Sequence, residues 1–110
     1  MRIAMPVADG VLATHFGLAA EFMLFDTTDG RITATESATP PAHAPGVLPA
    51  WLKENGVDLV LAGGMGNRAQ ALFQQAGIQV VCGVAGVDPA AVLQDYMAGG
   101  LQTGENPCAH

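Results

Sequence analysis

An α/β domain built on a mixed five-stranded sheet is the fold class this sequence predicts. Three observations lead there. The opening third alternates in strand fashion around an Asp-Gly hairpin signal at Asp29-Gly30. The remainder holds two short apolar runs typical of buried parallel strands, Asp58–Ala62 and Ile78–Cys82. Helix-period stripes ended by glycine separate and follow those runs. The resulting order is β-β-β-α-β-α-β-α. Because β-α-β crossovers are right-handed and cover a face, the helices are expected to pack on one mixed sheet.

Arg2–Val7 reads as the first strand, stopped by Asp9-Gly10, and Glu21–Asp26 as the second. Arg31–Ser37 alternates Ile32, Ala34 and Glu36 against hydroxyl residues and reads as a third strand near an edge. Three prolines and a histidine make Ala38–Pro45 a loop. Val47, Leu48, Trp51 and Leu52 then recur at helical spacing, with Pro49 tolerated in the first turn and Asn55-Gly56 as the stop. After the Asp58–Ala62 strand comes the glycine-rich turn Gly63-Gly64-Met65-Gly66-Asn67. Asn67 is expected to cap a helix whose apolar stripe is Ala69, Leu72, Phe73 and Ala76. Following Ile78–Cys82, Asp88-Pro89 signals a last helix with Pro at its first position and Val92, Leu93, Tyr96 and Met97 inward; Gly99-Gly100 ends it. Residues 1–100 are expected to form a single domain and 101–110 an irregular tail, with no internal repeat or linker.

With 110 residues, half of them hydrophobic and 13% charged, the chain suits one core and not disorder. No apolar run approaches the ~20 residues of a membrane span, and Asp9-Gly10 arrives too early for a signal peptide. A cytoplasmic protein is therefore expected. A net charge of −6 with four basic residues, Arg2, Arg31, Lys53 and Arg68, leaves no phosphate-tracking stripe. Nucleic acid and anionic membrane are accordingly not expected partners. The two cysteines, Cys82 and Cys108, are not expected to form a disulfide in a chain with no export signal. Cys82 lies in an apolar run and reads as a small core residue.

In an open α/β sheet, ligands bind beyond the carboxyl ends of the parallel strands. The turn after the first strand, the Gly63–Asn67 turn and the loop after Cys82 should meet there. Gly63–Asn67 joins close backbone approach to the positive end of a helix dipole, which suits an anion; glycines serving only a tight turn are the plain alternative. It lacks the Lys-Ser/Thr of a P-loop. His15, His43 and His110 all fall in expected loops, as does Cys108, and imidazole and thiolate bind borderline or soft metals. Surface loops carry polar residues in any case, and Cys108-Ala109-His110 alone cannot supply four zinc ligands. No nucleophile motif is present. The first strand, Ile3-Ala4-Met5-Pro6-Val7, has no carboxylate, so a two-metal nuclease site is not expected and neither is enzymatic activity.

The ordered set Arg2-Ile3-Ala4-Met5-Pro6, Asp9-Gly10, His15-Phe16-Gly17 with Ala19 and Phe22, Trp51-Leu52, Gly56-Val57-Asp58, Gly63-Gly64-Met65-Gly66, Gly77-Ile78-Gln79-Val80 and a late Cys108 resembles the dinitrogenase iron–molybdenum cofactor-binding family. That family includes NifX, NafY, the carboxyl-terminal part of NifB and the orange protein. The resemblance covers nearly the whole chain. It implies a ribonuclease-H-like fold without nuclease activity, and binding or carriage of a molybdenum-, iron- or copper-containing sulfide cluster or its precursor, often in anaerobes. It implies cluster donor or acceptor proteins as partners, with a monomer expected. His15, His43, the Gly63–Gly66 turn and Cys108 carry over as contacts, with Phe16, Gly17 and Asn67 beside them and His110 reaching in from the tail. Leu18 stands where a basic residue is common in the family, which removes one positive contact. The alternative is a regulatory or interaction module that binds an anionic metabolite or a protein through the same fold.

Overall fold

In the computed structural model, residues 1–13, 16, 19–41 and 46–99 are described. Among them the elements run β1 (Arg2–Ala8), β2 (Val11–Leu12), β3 (Glu21–Thr28), β4 (Arg31–Ala38), α1 (Val47–Glu54), β5 (Leu59–Leu61), α2 (Asn67–Gln75), β6 (Gln79–Val81) and α3 (Pro89–Met97). The sheet has the order β4-β3-β1-β5-β6, with β2 attached to β1 outside that path. β1, β5 and β6 are parallel; β3 and β4 run antiparallel to their neighbours. The mixed α/β, ribonuclease-H-like fold class is therefore the one expected, with six strands in place of five.

The sixth strand comes from a second Asp-Gly hairpin. Asp9 and Gly10 both have positive φ, 53° and 79°, as do Asp29 and Gly30, 51° and 75°. This is the two-residue turn geometry that matches strand twist. The turn pairs Ala8 with Val11 and Val7 with Leu12. β3 already occupies one edge of β1 as far as Val7. β2 therefore extends the other edge, where β5 has paired only with Ile3 and Ala4. Pro6 falls between the end of β5 and the start of β2. A central strand normally excludes proline because its missing N–H removes a ladder bond. Here Pro6 pairs with Phe22 of β3 on one side, and on the other its carbonyl accepts the Ala13 amide at 2.9 Å, so half of the β2-side exchange survives without its N–H.

Alternation divides the sheet residues between two cores. Ala4, Phe22, Leu24, Val60 and Ala62 face α1 and α2, where they meet Leu48, Leu52 and Phe73. Ile3, Met5, Phe25, Leu59 and Leu61 face α3 and meet Val92 and Leu93. α2 and α3, which follow adjacent parallel strands, thus leave to opposite faces. At the outer edge β4 is almost wholly exposed, and its alternation is broken by a bulge at which Thr27 pairs with Ile32 directly after Asp26 pairs with Ala34.

Three local expectations are corrected. Gly66, extended at φ −65° and ψ 154°, is the N-cap of α2, and Asn67 is already helical as its first residue. The run after Gly77 is not a buried strand: β6 is a three-residue edge strand, exposed at Gln79 and half-buried at Val80 and Val81. With a sheet neighbour on one side only, its apolar residues have less surface to pack on. Cys82 is likewise half-buried, packed against the α2-side core. The glycine stops hold. Gly56, Gly77 and Gly99 take φ near +80° (78°, 80° and 78°) just past α1, α2 and α3.

Candidate functional site

The carboxyl ends of β1, β5 and β6 lie side by side, and hydrogen bonds join the loops that leave them. The Gly83 amide donates to the Gly63 carbonyl at 2.6 Å, the Phe16 amide to the Gly64 carbonyl at 2.6 Å, and the Leu12 amide to the Val87 carbonyl at 2.9 Å. The three segments expected to meet do so. Two of them are alike in form: Gly63 and Gly66 after β5 occupy the places that Gly83 and Gly86 occupy after β6. Since α2 and α3 then diverge, the junction is the kind of switch point at which open α/β sheets leave a crevice.

The two helix starts differ electrostatically. α2 begins with Gly66 as N-cap, no side-chain cap and no acidic residue in its first turn; Asn67 and Arg68 there are exposed. The first amides of a helix have no intrahelical acceptor, and the summed peptide dipoles place about half a positive charge there. α3 begins with the carboxylate of Asp88 at the N-cap and with Pro89, which has no N–H. Of these two, the α2 start is the one suited to an anion.

The individual side chains divide. Met65, expected beside the ligand, is 1% exposed and belongs to the α2-side core. Its carbonyl accepts the Gln70 side-chain amide at 2.9 Å, which ties the turn to the helix it opens. Phe16 is also inward, 8% exposed, with its ring 5.4 Å from Phe73 and 5.6 Å from Phe22. Gly64 is buried, whereas Gly63 and Gly66 are half-buried and reach the surface. His15, Gly17, His43, Cys108 and His110 lie outside the described residues. Among the described residues, no three His, Cys, Asp or Glu side chains converge to hold a metal ion.

Two surface depressions lie elsewhere. One of about 290 Å³ is lined by Val7, Asp9, Glu21, Met23 and Ser37 among others. Its carboxylates, with Glu21 accepting the Ser37 hydroxyl, oppose an anion. The other, about 500 Å³, opens at the far end of the sheet between the Thr28–Gly30 turn and Tyr96 and Met97. Neither contains the α2 start. The β2 hairpin, bonded through Leu12 to Val87 of the loop after β6, was not expected from the sequence, although Asp9-Gly10 carries the same turn signal as Asp29-Gly30.

Residues 1–99 match the family model described as dinitrogenase iron-molybdenum cofactor. The chain belongs to that family. An uncharacterized protein of Methanocaldococcus jannaschii, MJ0580, is 33% identical over 85 residues, which are 73% of this chain and 72% of that protein. The crystal structure of PH0822 superposes with a TM-score of 0.88 at 32% identity, covering 96% of this chain and 98% of that one. The apo form of the orange protein from Desulfovibrio gigas gives 0.74 at 27% identity, covering 96% and 94%. Membership supports a role associated with that cofactor. No helix among the described residues is long and apolar enough to cross a membrane.

Proposed function

We propose that this protein binds and carries an anionic metal–sulfide cluster, or a precursor of one, at the carboxyl edge of its sheet. The observation that carries the reading is the uncapped, acid-free start of α2 beside the Gly63–Gly66 turn, in a chain that belongs to a cofactor-associated family. Such a cargo is large, polarisable and negatively charged. Backbone donors, the helix dipole and apolar walls would retain it, with Arg68 adding positive charge from the first turn. His15 and His43, and Cys108 and His110 from the carboxyl-terminal segment, supply imidazole and thiolate of the softness that molybdenum, iron and copper sulfides accept.

The role fits carriage better than turnover, since the strand that would hold a nuclease carboxylate, Ile3–Val7, is entirely apolar. A carrier needs a donor and an acceptor, so cluster-handling proteins of the cytoplasm are the proposed partners of a monomeric chain. A regulatory or interaction module that binds an anionic metabolite or a protein partner is the second reading, supported by the same acid-free start of α2.

The test is oxygen-free titration with tetrathiomolybdate and with iron–sulfide species, followed by visible absorption and by amide resonances. A new absorption band with shifts at Gly64 through Asn67 is expected, weakened in His15→Ala. No absorption change with either species would overturn the cargo reading. Shifts at the same amides with a colourless phosphate metabolite, indifferent to His15→Ala, would replace it with the second.

A further inference from the structure

Phe16 makes two different kinds of contact, and together they give it a role that neither would alone. Its amide donates to the Gly64 carbonyl at 2.6 Å, which sets the Phe16 backbone against the glycine turn. Its carbonyl accepts the Ala19 amide at 3.2 Å. The ring points the other way. It stands edge-on to Phe73 of α2, with centroids 5.4 Å apart and planes at 88°, and it is tilted on Phe22 of β3 at 5.6 Å. Phe22 is itself edge-on to Trp51 of α1 at 5.8 Å. Phe73 and Phe22 are fully buried, so the ring is held by two elements that cannot shift without opening the core.

We propose that Phe16 is a positioning residue: its ring is the anchor, and its amide holds the Gly64 carbonyl, so that the glycine turn keeps its place at the carboxyl edge of the sheet. The role differs from contact with the ligand, because the ring is turned away from solvent. Without the anchor, the hydrogen bond would have to hold the Phe16 backbone and Gly64 together unaided. A single backbone hydrogen bond contributes only about 1 kcal/mol net, no more than the conformational entropy of fixing one residue. The inference extends the cargo reading, yet the clasp can be tested with no ligand present.

The experiment compares Phe16→Leu with Phe25→Leu. Phe25 is 1% exposed in the α3-side core, so its loss is a control for destabilisation by ring removal far from the turn. In the ligand-free proteins, amide exchange at position 16, corrected for each variant's global stability, should accelerate about tenfold in Phe16→Leu and stay unchanged in Phe25→Leu. With tetrathiomolybdate, Phe16→Leu should bind about tenfold more weakly, and Phe25→Leu should stay within about twofold of the parent protein. Unchanged exchange at position 16, or equal acceleration in both variants, would overturn the clasp. So would equal loss of affinity in the two. If the parent protein takes up no tetrathiomolybdate, the cargo reading fails, and the exchange comparison still decides the clasp.

Discussion

Gly83 donates its amide to the carbonyl oxygen of Gly63 at 2.6 Å, which ties together the turns that leave two adjacent parallel strands. A second bond, from the Val84 amide to the Ala62 carbonyl at 3.1 Å, continues the tie. The β5–β6 pairing thus runs on past the strands themselves, and the two helix starts are fixed relative to one another. Their different chemistry, bare at Gly66 and acidic at Asp88, then has a definite place on the surface.

Asn67→Asp should separate stability from binding. A carboxylate at the first position of α2 complements the helix dipole and should stabilise the fold by about 0.3–1 kcal/mol. The same charge would repel an anionic cargo. Thermal denaturation and tetrathiomolybdate titration should therefore move in opposite directions, with Tm rising and affinity falling.

Replacing Gly86 should cost more than replacing Gly10. Its φ of +142° is open to few residues other than glycine, and a Cβ there would lie 2.4 Å from Cγ2 of Val92. Gly86→Ala should lose about 2–4 kcal/mol through combined strain and clash. Gly10→Ala, at φ +79° with nothing within 4 Å of the added carbon, should lose only about 1–2 kcal/mol. Urea midpoints of the two variants give the comparison.

At the opposite end of the sheet, Arg2 reaches Glu36 at 3.0 Å and Asp26 at 3.5 Å, and both acids are well exposed. Exposed pairs contribute little, so Glu36→Ala should cost less than about 1 kcal/mol. That difference should vanish in about 1 M salt, where screening is effective within a few ångströms. Asp58→Ala should cost more and should resist salt. Its carboxylate accepts the Arg2 backbone amide at 2.9 Å and so helps hold β1 against the start of β5.

Phe22→Ala should be among the most damaging core changes, at about 3–5 kcal/mol. The ring is fully buried and touches both Phe16 and Trp51. Trp51 is the single tryptophan. Its emission should shift to the red in this variant at denaturant concentrations below the unfolding transition.

Legibility in the sequence followed how local each signal was. The ends of α1, α2 and α3 could be read from Gly56, Gly77 and Gly99, because a left-handed residue after a helix is a matter of one residue's sterics. The first helical position of α3 was equally plain at Pro89. The cap of α2 was displaced by one residue, since extended backbone at Gly66 needs no special side chain and Asn67 was free to enter the helix. β6 read as buried because an apolar run does not reveal whether one strand neighbour or two will lie beside it. For the candidate site, the Gly63–Asn67 turn and its place at the carboxyl edge could be anticipated, but the inward packing of Met65 and Phe16 could not.

By itself the sequence determined the kinds of element, their order and their turns, β2 and its hairpin excepted, and the family to which the chain belongs. Each of these depends on periodicity, on backbone sterics at single residues, or on an ordered set of motifs. Tertiary structure alone decided that α2 and α3 depart to opposite faces, that β2 caps the edge which β5 leaves open, and that Gly63 meets Gly83 and Gly64 meets Phe16 through hydrogen bonds. Those outcomes depend on which strands become neighbours, and that is settled by how residues distant along the chain bury their apolar faces together.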